Sequence, residues 1–245
     1  MDNNLDSHAI AYRGNLHDFD NNIQLNWYPQ RILKATEGAA SLLELGLGHG
    51  ITTNLFSSYF KKHIVLDASP EVIEDFKNNY IGCKAQIIET YFEEFKSNDK
   101  FDVIVFGFIL EHVDRPIETL RYIKQFLSPK GKAFISVPNA EVMNRKLGNL
   151  MGILPDMKLL SEHDLMCGHQ RYYTVESLTK DIQEAGYCLK RMEGIFLKPF
   201  TTKQLISLDL SSSVINALCQ MGIEYPELCC GLLAEIGDYE DVKME

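Results

Sequence analysis

Three glycines at alternate positions, Gly46, Gly48 and Gly50, follow the short apolar run Leu42-Leu43-Glu44-Leu45 and precede a segment, Ile51 to Tyr59, that reads as the start of a helix. A turn of this kind between strand and helix lets a ligand approach backbone amides where Cβ atoms would otherwise stand. The same turn can also serve packing alone. Asp67 closes the next apolar run, His63 to Ala68. An acid at that place follows a nucleotide-binding glycine turn where a ribose must be held, and a carboxylate can accept both hydrogen bonds of a ribose diol. Its plainer reading is a helix cap. Histidine is the side chain suited to moving a proton near neutral pH. His112, His163 and His169 are the three placed to do so, the first just after the fourth apolar run, the others in a methionine-rich stretch.

Periodicity and punctuation give the elements that must position these groups. Ile23 to Thr36 carries Ile23, Trp27, Ile32 and Leu33 at roughly helical spacing. Ser69 caps and Pro70 opens a helix running to about Tyr80. Cys83 to Ile88 is a third, shorter strand, and the loop Glu89 to Glu94 follows. Phe101 to Phe106 is the most strand-like run. Leu110 to Leu127 reads as a helix interrupted near Arg115-Pro116, Ser128 to Lys132 as a turn, and Ala133 to Val137 as the fifth strand. The pattern fades from Asn139 to Tyr173, where Met143, Met151, Met157 and Met166 stand among leucines, with His163, Asp164, His169, Arg171, Tyr172 and Tyr173. Thr174 then caps a helix that stops at Gly186. Tyr187 to Phe196 is a strand, Thr201 to Met221 mostly helix, and Leu228 to Ile236 a last strand. By itself the alternation specifies an α/β sandwich.

The dinucleotide fingerprint spaces its glycines G-x-G-x-x-G; here the form is Glu-x-Gly-x-Gly-x-Gly over 44–50. With F-D-V-I-V followed by L-E-H-V before position 114, and L-S-P-K-G-K-A-F-I-S-V-P-N up to Asn139, the chain resembles the class I S-adenosylmethionine (SAM)-dependent methyltransferases, in the branch that acts on small molecules. The resemblance covers about Leu42 to Asn139 strongly and the remainder loosely. It implies a Rossmann-like seven-stranded sheet of order 3-2-1-4-5-7-6, the last strand antiparallel, with helices on both faces. Length gives one domain over 1–245, with an N-terminal arm and helix over 1–37, and the apolar stretch 139–173, placed after the fifth strand, reads as a substrate cap. The resemblance also implies SAM as cofactor, leaving as S-adenosylhomocysteine (SAH). Glu44, Gly46, Gly48, Asp67 and Ala68 would surround it, with Glu44 organising the methionine end through backbone amides or water. Tyr91, Phe92, Gly107 and Phe108 would complete that site. The family usually sets an Asp near the adenine amine; Tyr91 stands at that position, and Glu89 could supply the acceptor instead.

Methyl transfer from a sulfonium is an in-line displacement that needs alignment, exclusion of water and, for a hydroxyl nucleophile, removal of a proton. His112, His163 and His169 are the candidate bases; each could also be a packing residue or a tie between cap and body. The G-H-x-R-[YF]-[YF] pattern around His169 recurs in related small-molecule methyltransferases, so Arg171 and Tyr172 join Tyr12 as candidate substrate-binding residues. Tyr12, Arg13, Trp27 and Tyr28 could close over the cofactor. Some methyltransferases with a similar fourth motif carry Glu-x-x-Glu-His and a distant His that ligate a divalent ion. Here Phe108 replaces the first Glu, and only Glu111 and His112 match, so no metal is expected.

Composition narrows the partners. Lys plus Arg is 24 against 34 for Asp plus Glu, a formal net charge of -10. Phosphate backbones need a clustered basic surface, so a nucleic acid is not expected. Six cysteines lack C-x-x-C spacing, which points to reduced thiols in a cytoplasm. No apolar run approaches the roughly 20 residues that cross a bilayer, so no membrane is expected. The expected activity is transfer of methyl to an O or N atom of a small metabolite, for example a sugar or sugar nucleotide, by a monomer or homodimer. The alternatives are a protein or RNA acceptor, or a SAM-binding protein without transfer.

Overall fold

The computed structural model describes residues 18–238; Tyr12 and Arg13 lie outside them. Strand β1 (Ser41–Leu45) buries four consecutive residues, Leu42 to Leu45, the near-continuous pattern of a parallel strand covered on both faces. It pairs in parallel with β2 (Lys62–Asp67) on one side and β4 (Phe101–Gly107) on the other. Strand β3 (Gln86–Glu89) extends β2, and β5 (Leu127–Pro138) extends β4. Strand β7 (Cys229–Gly237) runs antiparallel between β5 and β6 (Cys188–Leu197). The order is 3-2-1-4-5-7-6, as the resemblance implied.

Period-two alternation sends neighbouring side chains to opposite faces. Leu43, Leu45, Ile104 and Phe106 meet Leu120 and Ile123 of α4 (Pro116–Lys124) and Leu178 and Ile182 of α7 (Val175–Glu184). Leu42, Val103 and Val105 meet Tyr28 and Ile32 of α1 (Asp18–Ala35) and Phe56 of α2 (Ile51–Phe56). Helix α3 (Pro70–Asn79) packs Val72, Ile73 and Phe76 on Val65 and Leu47. Between β5 and α7 lie only α5 (Met143–Leu150) and α6 (Glu162–Met166). Asn139 and Tyr173 pair in an isolated parallel bridge, so this segment leaves and rejoins the sheet at one point.

Three elements differ from the sequence reading. The helix expected from Leu110 starts only at Pro116. Arg115 precedes a proline and is barred from helical geometry, and Arg171 takes the carbonyls of Leu110 and Val113 that a helix would have used. The turn expected over Ser128 to Lys132 is absorbed into β5, whose register against β4 shifts between Phe101 and Val103. Lys130, at φ 64°, turns that bulge. Thr201 to Met221 is two helices, α8 (Thr202–Ser207) and α9 (Ser212–Gly222), parted where Asp209 takes φ 47°.

One ion pair ties the N-terminal helix to the far strands. Arg31 donates to both carboxylate oxygens of Glu193, at 2.9 and 2.7 Å, and the Glu193 side chain is 2% exposed. Arg191 meets the same carboxylate at 3.0 Å. Arg31→Met should lower the unfolding free energy by about 2 kcal/mol, less than the roughly 3–5 kcal/mol for orphaning a buried charge, because Arg191 remains. A urea titration followed by circular dichroism reads this; an unshifted midpoint would show that the pair adds nothing.

Candidate active site

The C-terminal ends of β1, β2, β4 and β5 meet around a cavity of about 970 Å³. At its floor the glycine turn continues the ladder, with Gly46 N–H donating to Leu66 O at 2.8 Å. Its three glycines all take positive φ but for different reasons. A Cβ on Gly46 would stand 2.4 Å from Ile109 Cδ1, and one on Gly50 would strike the Phe76 and Tyr80 rings at 2.5 Å. Those two are packing glycines. Among the described residues Gly48 has nothing within 4 Å of the same point, so it is where a ligand can lie on bare backbone. Asp67 locks the turn: its Oδ2 accepts from Leu47 N–H at 2.8 Å and its Oδ1 from Ser69 N–H at 2.9 Å.

Gly46, Gly48, Asp67, Ala68, Tyr91, Phe92, Gly107 and Phe108 all line the cavity, as do His112, His163, His169, Tyr172 and Tyr28. Glu44 and Arg171 do not. Glu44 is buried beneath the turn, accepting from Thr52 Oγ1 at 2.9 Å and lying 2.8 Å from His63 Nε2. Arg171 points back into the loop after β4. Glu93 rather than Glu89 reaches the wall near Tyr91.

Phe108 holds φ 57°, a left-handed conformation that costs a residue with a Cβ about 1–2 kcal/mol. The surroundings enforce it. Its N–H donates to Ser136 O at 2.9 Å, and its ring meets Tyr28 edge-on at 5.7 Å. Gly107 has no Cβ because Tyr28 Oη would stand 2.6 Å from it. Burial, with Glu44 nearby, raises the Tyr28 phenol far above its usual value and keeps it protonated.

Behind Phe108 lies a titratable cluster. Glu111 is fully buried and neither carboxylate oxygen has a hydrogen-bond partner among the described residues. Burial raises it to about 7, against the opposing pull of His169 and Arg171. The His112 and His169 rings meet edge to face at 4.8 Å. His169 Nδ1 lies 3.3 Å from Asp164 Oδ1, an ion-pair contact without hydrogen-bond alignment. Burial pulls His169 down, but Asp164 and Glu111 outweigh it and leave its affinity for a proton raised. Asp164 would rise on burial alone; His169, Ser161 and Tyr172, whose hydroxyl donates at 2.7 Å, hold it well below the usual carboxylate range. Gln170 and Arg171 stitch the segment down. Gln170 Nε2 donates to His112 O at 2.7 Å and Asp114 Oδ1 at 2.8 Å. Ligand atoms of Glu111, His112 and His169 come within 4.8 Å of one another, a set able to hold a divalent ion.

A family model described as a methyltransferase domain matches residues 24–190. The chain belongs to the methyltransferase family. The ubiquinone biosynthesis O-methyltransferase of Haemophilus ducreyi is 25% identical over 187 residues, 72% of this chain and 77% of that protein. The crystal structure of the plantazolicin methyltransferase BpumL, with SAH and a triazolic desmethyl analogue, has a TM-score of 0.61 at 19% identity and covers 95% of both chains. The N-methyltransferase NodS of Bradyrhizobium japonicum, with SAH, has a TM-score of 0.54 at 13% identity, over 86% of this chain and 84% of that one. The fold is that of the class I SAM-dependent enzymes.

The residues of this methyltransferase fit the cofactor. The open backbone at Gly48 gives a cradle that a Cβ would fill. A carboxylate oxygen accepts two hydrogen bonds, so Asp67 can hold the turn and still meet a ribose diol. Sequence reasoning passed over Glu111 as a proton-holding group, because its burial and missing partners are visible only in three dimensions. It also passed over Asp20, Gln24, Asn144, Lys198 and Thr202, which come to the cavity from α1, α5, the end of β6 and α8.

Glu111 generates a pH dependence. A carboxyl raised in the fold stabilises below its unfolded value near 4.5, and that contribution is lost as pH rises through about 7. Melting temperature in chelating buffer should therefore fall between pH 5 and pH 8, and Glu111→Gln should remove that part of the fall. Identical pH profiles for both proteins would contradict a raised Glu111.

Proposed function

We propose that this methyltransferase moves the methyl of SAM to an oxygen or nitrogen of a small metabolite, with His112 as the base when the acceptor is a hydroxyl. The observation that carries this reading is one cavity joining the Gly48 and Asp67 cradle to the Glu111, His112 and His169 cluster. Its volume suits a cofactor with a small acceptor beside it. The relatives named for ubiquinone biosynthesis support oxygen as the acceptor atom. A sugar or sugar-nucleotide hydroxyl is the narrower form of the proposal. Against a nucleic-acid acceptor stands the net charge of -10. No helix among the described residues is long and apolar enough to cross a membrane. We place the enzyme in the cytoplasm, as a monomer or homodimer; the six cysteines, all unpaired, support that compartment.

SAM supplies a methyl already made electrophilic by its sulfonium, so the protein's work is binding, alignment, dryness and proton removal. Gly48, Asp67 and Ala68 would hold SAM from the floor, with Gly46 shaping the turn, and Tyr91 and Phe92 from the side. Phe108, locked between Ser136 and Tyr28, gives the rigid wall that keeps water out. His112 takes the acceptor proton. His169, beside Asp164 and packed edge to face on His112, orients the His112 ring. His163 lies 3.4 Å from Cys167 Sγ and lines the acceptor side.

A second reading has its own observation. The two orphaned oxygens of Glu111, grouped with two imidazoles, one of them backed by Asp164, match the carboxylate-histidine arrangement around bound metals. Against it, Phe108 stands where a further carboxylate would be needed.

Asp67→Ala should weaken SAM and SAH binding at least tenfold in calorimetry, the loss of charge-assisted bonds to a diol; unchanged affinity would remove Asp67 from that role. His112→Ala should slow transfer roughly 10²–10⁴-fold, as for a general base, with SAM affinity unaltered. Transfer should survive a chelator. Loss of activity with recovery on adding Mg²⁺ or Mn²⁺ would decide for the metal reading.

A further inference from the structure

One wall of the cavity is built from α1, the start of α5 and the end of β6. Asp20 and Gln24 stand one helical turn apart on α1, with Tyr28 on the next turn. Asp20 is 4% exposed. Its Oδ2 accepts from Lys198 Nζ and Thr202 Oγ1, each at 2.5 Å, and Lys198 also donates to Thr202 Oγ1 at 2.9 Å. Three acceptors on this wall are buried and have no partner among the described residues: Asp20 Oδ1, Gln24 Oε1 and Asn144 Oδ1. Asn144 is fixed beside them by its N–H, which donates to Lys198 O at 3.1 Å. Gln24 lies at the Phe108 end, since a Cβ on Gly231 would stand 2.8 Å from Gln24 Oε1 and 3.3 Å from Phe108 Cζ.

Buried acceptors left unmatched are costly, and native structures supply them with donors. A ligand can supply the donor here, and the charges say which kind. Lys198 and Asp20 cancel, so the wall has no net charge to offer. Burial lowers the Lys198 ammonium's hold on its proton, but Cys230 and Asp20 outweigh it, so Lys198 remains a cation. An ammonium ligand would meet that cation at short range. A carboxylate ligand would face Asp20 Oδ1 and Gln24 Oε1, which can only accept. A hydroxyl satisfies both sides, donating to Asp20 Oδ1 and accepting from the third Lys198 N–H.

We propose that Asp20, Gln24, Asn144 and Lys198 form the acceptor-recognition subsite and select a neutral molecule bearing at least two hydroxyls. The inference rests on the methyl-transfer reading above and names the substrate class for that same cavity. One hydroxyl donates its proton to an oxygen of the wall, and the hydroxyl to be methylated is left toward Phe108 and His112.

Calorimetry on the full chain saturated with SAH tests it, with catechol and methyl glucoside as neutral hydroxylated probes and benzylamine and benzoate as charged controls. A neutral probe should bind more tightly than either charged one. Gln24→Leu, which leaves the ion pair intact, should weaken that probe about tenfold, the worth of one buried hydrogen bond, with SAH affinity unchanged. Lys198→Met should reverse the preference toward benzylamine, since Asp20 is then an uncompensated anion; retained SAH binding shows that this variant folds. Tighter binding of a charged probe to the wild type would overturn the subsite. So would no binding of either neutral probe at millimolar concentration, or a neutral-probe affinity untouched by Gln24→Leu. Failure of the wild type to bind SAH would instead strike the cofactor reading and take the subsite with it.

Discussion

Asp67 carries more of the architecture than its size suggests. One carboxylate receives the amide of Leu47, in the turn after β1, and the amide of Ser69, at the start of α3. The two crossovers that flank the cofactor cradle are thus held by a single side chain at the end of β2. Ser69 in turn caps α3 through the amide of Val72. With the turn held this way, Gly48 presents bare backbone to the cavity and Gly50 lets the Phe76 and Tyr80 rings close beneath it. Glu44 completes the support from below by fixing Thr52, in the first turn of α2, and His63, on β2.

A second set of bonds couples the segment after α6 to the loop that follows β4. Gln170 and Arg171 hold the backbone from Leu110 to Asp114 in an open loop rather than a helix. That loop is what places Glu111 and His112 beneath His169. Strain at Phe108 and the unpartnered carboxylate of Glu111 lie within four residues of each other in sequence, both facing the cavity. Local cost concentrated beside a reaction centre is expected where geometry serves chemistry before stability.

Most of the sheet was legible because parallel strands buried on both faces read as apolar runs, and because Gly46, Gly48, Gly50 and Asp67 are spaced by the geometry of one crossover. The helix expected from Leu110 failed for a nonlocal reason: its carbonyls belong to Arg171, sixty-one residues away in sequence. The bulge at Lys130 was hidden because a Pro-Lys-Gly turn signal is also compatible with a kinked strand. Glu44 was read as organising the methionine end through backbone amides or water; its side-chain partner His63 becomes a neighbour only once β1 and β2 pair. The wall of Asp20, Gln24 and Lys198 joins positions nearly two hundred residues apart, and no spacing rule in a single sequence reaches that far.

The bridge between Asn139 and Tyr173 has a bearing on how such enzymes diversify. A segment that departs and returns through one point imposes no length on the sheet beneath it. Closing a loop costs only the logarithm of its length, about 0.6 kcal/mol for each doubling. The 140–172 stretch can therefore be lengthened, shortened or exchanged while the cradle for the methyl donor stays as it is. A change of length there leaves both the Gly48 and Asp67 turn and the wall of Asp20, Gln24 and Lys198 in place.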